Sequence, residues 1–254
     1  MTTDDLLRLT LNDVLLPLFA WALVACCAFP LRRGRDRSVL LSALLMALAF
    51  TVTVPHVYVA LDRMTGGTSV AELVKMTLVV VAAWTMSRGI TRAVGTSVVP
   101  SSVTGVVLVV VLVVQTVAFL LVDRSGGTTT SFSLVYGDQP AAMVYSMAHF
   151  VYFGATLGAA GVACLRSGYG SAPRAVRIGV RLLVVGCAVA VLTSVDLVVR
   201  DVGLVLEREE VWGPAQGAYP PLLLLSVVLL ALGLGLPPLL VGRPVVASRG
   251  SCPG

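Results

Sequence analysis

Residues 104–122 read TGVVLVVVLVVQTVAFLLV, and the fold turns on what this run is. Valine dominates it, and in water so many β-branched residues would argue for a strand. Yet the run carries no charge and no alternation of polar and apolar positions, so it does not fit the ten-residue tilted strand of a membrane barrel. In lipid a segment must satisfy its own backbone polar groups, and a lone segment does so only as a helix. At about 1.5 Å rise per residue it reaches roughly 28 Å, close to the hydrocarbon thickness of about 30 Å.

The rest of the chain repeats that message. Of 254 residues 57% are hydrophobic and 12% charged, with a mean hydropathy of +0.95. A soluble domain has about a quarter of its residues charged, so this chain cannot cover itself with polar surface. The fold class expected is all-α: a polytopic transmembrane bundle forming a single domain, with seven spans at Leu11–Phe29, Ser38–Leu61, Ser69–Ser87, Ser102–Val122, Ala141–Leu165, Ile178–Val199 and Tyr219–Val241. The abundance of Val, Ala, Gly and Arg beside one Lys and two Ile matches the codon bias of a GC-rich bacterium.

Basic residues set the orientation. With the amino terminus outside, the inner segments PLRRGRDRS, SRGITR, RSGYGSAPRAVR and GRPVVASRG, with Arg181, hold twelve of the eighteen Lys and Arg but only one acid, Asp36. Arg32, Arg33, Arg35, Arg37, Arg174 and Arg177 are the cytosolic anchors, and the carboxyl terminus is cytosolic. Insertion alone demands this asymmetry, so the basic balance points to a lipid bilayer in the cell membrane and not to nucleic acid. Leu23-Val24-Ala25-Cys26 looks like a lipobox, but the segment before it is acidic where a signal peptide is basic, so a first spanning helix is expected. The cysteines Cys26, Cys27, Cys164, Cys187 and Cys252 have no CxxC or zinc spacing and read as small apolar residues and a tail thiol.

Charges at membrane depth are costly and therefore worth weighing. In TSVAELVKM, Thr68–Met76, a third span ending at Lys75 leaves too few residues to cross. A start at Ser69 places Glu72 and Lys75 in the first two turns, on one face. A boundary pair with a snorkelling lysine suits that position, and Glu72 suits the positive end of the helix dipole. An inward-facing pair contacting substrate, protons or another helix stays open. Asp196 is four residues before Arg200, which supports a local contact or a pair with Lys75. Gln115, in the middle of the fourth span, needs a partner and reads as glue between helices. His56 and His149 lack the spacing of a metal or haem site, so neither a metal nor another cofactor is expected. Glu72, Lys75, Gln115, His149 and Asp196 together form the candidate intramembrane polar site.

Pro17, Pro55 and the LGLGLPP run at 232–238 permit kinks such as transporters use. The inner loops are short, and no phosphate-binding glycine loop or nucleophile elbow is present, so no enzymatic activity and no catalytic residues are expected. The ends of spans two and six echo one another, VYVALDR and LVVRD, each following a basic inner loop. Two parallel three-helix repeats joined by the fourth helix would produce that echo. Small seven-helix sugar uniporters share the plan, but their Pro-Gln signature is here reversed to Gln139-Pro140. Retinal chemistry is excluded, because the only lysine is in the third span and not the seventh.

The segment TVTVPHVYVALDRMTGGTSVAELVKMTLVVVAAW, with RIGVRLLVVGCAVAVLTSVDLV and LLLLSVVLLALGLGLPPLL, resembles an actinobacterial seven-helix membrane family. Its members are catalogued as transporters or integral membrane regulatory proteins. The carrying features are a Pro and a Tyr near the helix end, then Leu61-Asp62-Arg63, Thr65-Gly66 and a new apolar run. Longer members carry a cytosolic domain after helix seven. This chain stops at Gly254, which implies a short form whose output another membrane or cytosolic protein supplies. The resemblance implies transport of a small-molecule ligand, or a sensor or scaffold acting through partners.

Overall fold

The computed structural model describes residues 14–28, 37–125, 127–168, 172–206 and 208–241. Among them the chain is helical, without strands: α1 (Leu16–Ala28), α2 (Arg37–Thr53), α3 (Pro55–Met64), α4 (Val70–Val94), α5 (Ser101–Leu121), α6 (Phe132–Tyr136), α7 (Pro140–Arg166), α8 (Arg174–Val205) and α9 (Glu209–Val241). Five helices are long and apolar enough to cross a membrane: α4, α5, α7, α8 and the Gly217–Gly235 part of α9. Counting the bent pair α2–α3 as one span makes six, and α1 is a shorter apolar helix. Of the expected first span, Leu11–Asp13 and Phe29 lie outside the described residues.

The expected second span, Ser38–Leu61, is not one rod. It breaks between Thr53 and Pro55 with a bend of 90°. Pro55 has no N–H to donate, and its ring pushes the preceding residue out of the helical region. Val54 is accordingly extended at φ −62°, ψ 124°. α2 alone, at roughly 1.5 Å per residue, covers most of a bilayer, and α3 turns across its end.

Packing follows a ring. α1 packs on α2, α2 on α4, α4 on α7, α7 on α8, α8 on α9, and α9 returns to α1. α5 stands outside, against α4 and α7. Its outward valines, among them Val106, Val109, Val113 and Val117, are exposed, which fits a helix whose solvent is hydrocarbon. Helices α1, α2 and α4 form one consecutive set and α7, α8 and α9 another, with α5 between them in the chain. Within each set the helices pack in chain order.

Small residues bring the seams close. A Cβ added at Gly154 of α7 would stand 2.9 Å from Ser194 Cβ, and one at Gly161 would stand 3.0 Å from Cys187 Cβ. At Gly233 of α9 it would meet the Gly179 carbonyl oxygen at 2.9 Å. This is how membrane helices gain contact when hydrophobicity does not separate neighbour from lipid. Met86, Ile90, Leu157, Cys164, Leu183, Cys187 and Leu230 fill one shared core between α4, α7, α8 and α9. Both cysteines in it are free thiols.

Candidate functional site

All six helices of the ring contribute to one cavity of about 350 Å³. Leu16 comes from α1, Phe50 and Thr53 from α2, Glu72, Lys75 and Val79 from α4, Phe150 and Phe153 from α7, Thr193, Ser194 and Arg200 from α8, and Tyr219 and Ser226 from α9. The segment Thr130–Leu134, which includes the start of α6, adds to the wall. The charged groups gather at the end of the ring where α4 begins and α8 finishes. Tyr219 lines the cavity together with Arg200 and Glu72. Away from that end the wall is mostly apolar.

Glu72 and Lys75 form an ion pair, Nζ to Oε2 at 2.7 Å, on adjacent turns of α4. Glu72 is 3% exposed, and the lysine joins it on the chamber wall instead of snorkelling away. Their position in the first turns of α4 agrees with the spacing argument, and there, at the end of the ring, both side chains line the cavity. Tyr145 of α7 donates to the backbone carbonyl of Glu72 at 3.2 Å, which ties α7 to this turn. Among the described residues only Oε2 of Glu72 takes a side-chain hydrogen bond, from Lys75, so the carboxylate has acceptor capacity left.

Arg200 does not make the expected contact with Asp196. Its Nη2 and Nε both donate to Asp201 Oδ1, at 2.9 and 3.2 Å, and Ser146 of α7 donates to Asp201 Oδ2. Asp201 is buried, and a buried carboxylate without a cation is far costlier than a half-buried one. That difference decides which acid the arginine serves. Asp196 stays half-buried, and its Oδ2 has no hydrogen-bond partner. It neither lines the chamber nor pairs with Lys75, whose hydrogen bond goes to Glu72.

Two other expected site residues also lie off the wall. Gln115 of α5 is 0% exposed and donates from Nε2 to Thr77 Oγ1 of α4 at 3.0 Å, holding the outer helix to the ring. His149 is buried among Tyr145 and Phe150. Its Nδ1 lies 2.8 Å from the Tyr145 carbonyl oxygen, an acceptor, so the proton sits on Nδ1. Its Nε2 has no partner. His56 is exposed on α3. Among the described residues no three His, Cys, Asp or Glu side chains gather as metal ligands.

The loop before α6 is pinned at the charged end. Asp62 of α3, 0% exposed, accepts from Ser69 N–H at 3.0 Å and Ala71 N–H at 3.4 Å, and from the Thr128 hydroxyl. Ser69 sits in the left-handed region at φ 58° and does not cap α4 with its own hydroxyl. Asp62 meets the orphan donors of that helix start in its place. Arg124 donates to the Thr68 carbonyl at 3.1 Å and lies over the Phe119 ring, and Tyr136 donates to the Gly127 carbonyl at 2.8 Å. Phe132 plugs into Phe119, Tyr136 and Tyr145. The segment that borders the chamber is thus held at both ends.

Sequence reasoning missed Arg200, Asp201 and Tyr219 as one group with Glu72 and Lys75, and it missed Asp62 as a clamp. A signal was present in the echoed span ends, ALDR and VVRD, which place one acid beside one arginine. Both acids, Asp62 and Asp201, are buried at the charged end of the ring. Of the expected cytosolic anchors, Arg32, Arg33 and Arg35 lie outside the described residues. Arg37 is exposed at the start of α2, and Arg174 and Arg177 are exposed at the start of α8. Comparison of the chain with protein-family profiles, with curated proteins and with solved structures finds no match.

Proposed function

We propose that this is a seven-span cell-membrane protein, amino terminus outside and carboxyl terminus cytosolic, that moves a small solute through the chamber in its helix ring. The observation that carries the reading is the chamber itself: one cavity of about 350 Å³ shared by six helices, with a largely buried ion pair on its wall. Intramembrane charges facing a common cavity mark solute or ion paths, and sites at the seam of two repeats suit alternating access. The charged end then faces outward, and the basic starts of α2 and α8 face the cytosol. The likeness to actinobacterial membrane proteins catalogued as transporters supports the same reading. So does the ion-paired state of Glu72, Lys75, Arg200 and Asp201, which is a binding arrangement and not a nucleophile with its base. The reading therefore assigns no catalysis.

Cysteine accessibility tests it. In a variant with the native cysteines replaced, Val79→Cys and Ser194→Cys are exposed to a membrane-impermeant maleimide in right-side-out and inside-out vesicles. Transport requires both positions to react from either side, as the chamber opens alternately. Reaction from the outer side only would make the protein a sensor that relays binding to partners. No reaction from either side would remove the chamber as a path.

A further inference from the structure

The charge inventory of the chamber restricts what it binds, given the reading of the chamber as a solute site. Among the described residues its wall carries two cations, Lys75 and Arg200, and one carboxylate, Glu72, while Asp201 lies behind Arg200 and off the wall. The four charges cancel. A net charge added to a low-dielectric site would stand uncompensated, at a cost of several kcal/mol in order of magnitude, whereas a solute with one charge of each sign leaves the balance intact. The open valences suit such a solute. Glu72 offers Oε1, which takes no hydrogen bond among the described residues, to an ammonium group. Lys75 uses one of its donors on Glu72, and Arg200 uses Nε and Nη2 on Asp201, which leaves donors on both for a carboxylate. Beyond the charged end, Phe50, Phe150, Phe153, Met46, Val79 and Leu230 supply an apolar wall. The volume of about 350 Å³ is at the small end of ligand cavities, which run from about 300 to 1,000 Å³.

We infer that the chamber takes a small zwitterion of the α-amino-acid type with an apolar side chain. Its carboxylate meets Lys75 and Arg200, its ammonium meets Glu72 Oε1, and its side chain lies among the phenylalanines. Tyr219, Thr193 and Ser194 line the same wall without altering the charge balance; the Thr193 and Ser194 hydroxyls donate to the Val189 and Ala190 carbonyls of their own helix and keep only acceptor capacity.

The test uses the purified full chain in mild detergent. Leucine, methionine and phenylalanine are compared by titration calorimetry with two leucine analogues of single charge, 4-methylpentanoate and 3-methylbutylamine. At least one amino acid should bind, with each analogue at least tenfold weaker than leucine. Glu72→Gln should weaken the amino acid at least tenfold. Should that variant fail to fold, the analogue series on the unaltered chain decides alone. Equal binding of 4-methylpentanoate and leucine overturns the inference in favour of an organic anion, equal binding of the amine overturns it in favour of a cation, and no binding by any amino acid overturns it outright. Failure here is distinct from failure of the transport reading. Two-sided labelling without amino-acid binding leaves a path for other cargo, and amino-acid binding with one-sided labelling makes the chamber a zwitterion sensor.

Discussion

Lys75 and Glu72 stabilise one another because Glu72 is buried and Lys75 is only partly exposed, so both have given up most of their water. Removing one partner of a buried pair strands the other and costs about 3–5 kcal/mol. Lys75→Met is therefore expected to lower the thermal midpoint in detergent sharply. The double variant Lys75→Met/Glu72→Gln should recover most of the loss, and additive losses in the pair would show that the ion pair is not the stabilising unit. Asp62 makes a different bargain: a carboxylate that accepts backbone N–H groups at a helix start and a threonine from the next loop. Charge-assisted hydrogen bonds of this kind contribute about 1.5–3 kcal/mol. Asp62→Ala should lose about that much and speed amide exchange in residues 127–131, and unchanged exchange there would count against the clamp. The sequence showed both acids and their spacing. It did not show that Glu72 faces a cavity or that Asp201, not Asp196, holds Arg200, because a side chain's direction is set by the helices packed around it.

Among the elements, helix existence was legible and helix shape was only partly so. α4 begins at Val70, one residue after the expected start, because the length needed to cross a bilayer left little freedom. It runs on to Val94 where the span was expected to end at Ser87, since a helix does not stop where hydrocarbon stops. Pro55 announced a weak point, and the 90° turn there came from the proline together with the docking of Asp62 on the next helix. The glycines of α7 set how near α8 stands. Gly154→Ala places a methyl 2.9 Å from Ser194 Cβ, and such overpacking costs about 1–3 kcal/mol. Thermal unfolding in detergent should show that loss, while Gly217→Ala, with nothing within 4 Å of the added carbon, should change little. Equal effects from the two would refute close packing of the α7–α8 seam.

For the molecule as a whole, the proposed orientation is the property most easily checked. Alkaline phosphatase fused in the loop near Gly127 should be active and fused near Arg174 inactive, with a cytosolic reporter giving the reverse; the opposite pattern would invert the chain in the membrane. What the sequence determined by itself is the solvent and the element type. A chain with 57% hydrophobic and 12% charged residues needs lipid, and lipid permits a lone segment only the helix. Those statements depend on composition and local backbone bonding, which no partner segment changes. The tertiary structure alone decided the ring, the place of α5 outside it, and the meeting of Glu72, Lys75, Arg200 and Tyr219 at one end of a shared chamber. Apolar helix faces are nearly interchangeable in hydrocarbon, so helix order around a bundle is set by close-packed glycines and a few polar contacts between segments far apart in the chain.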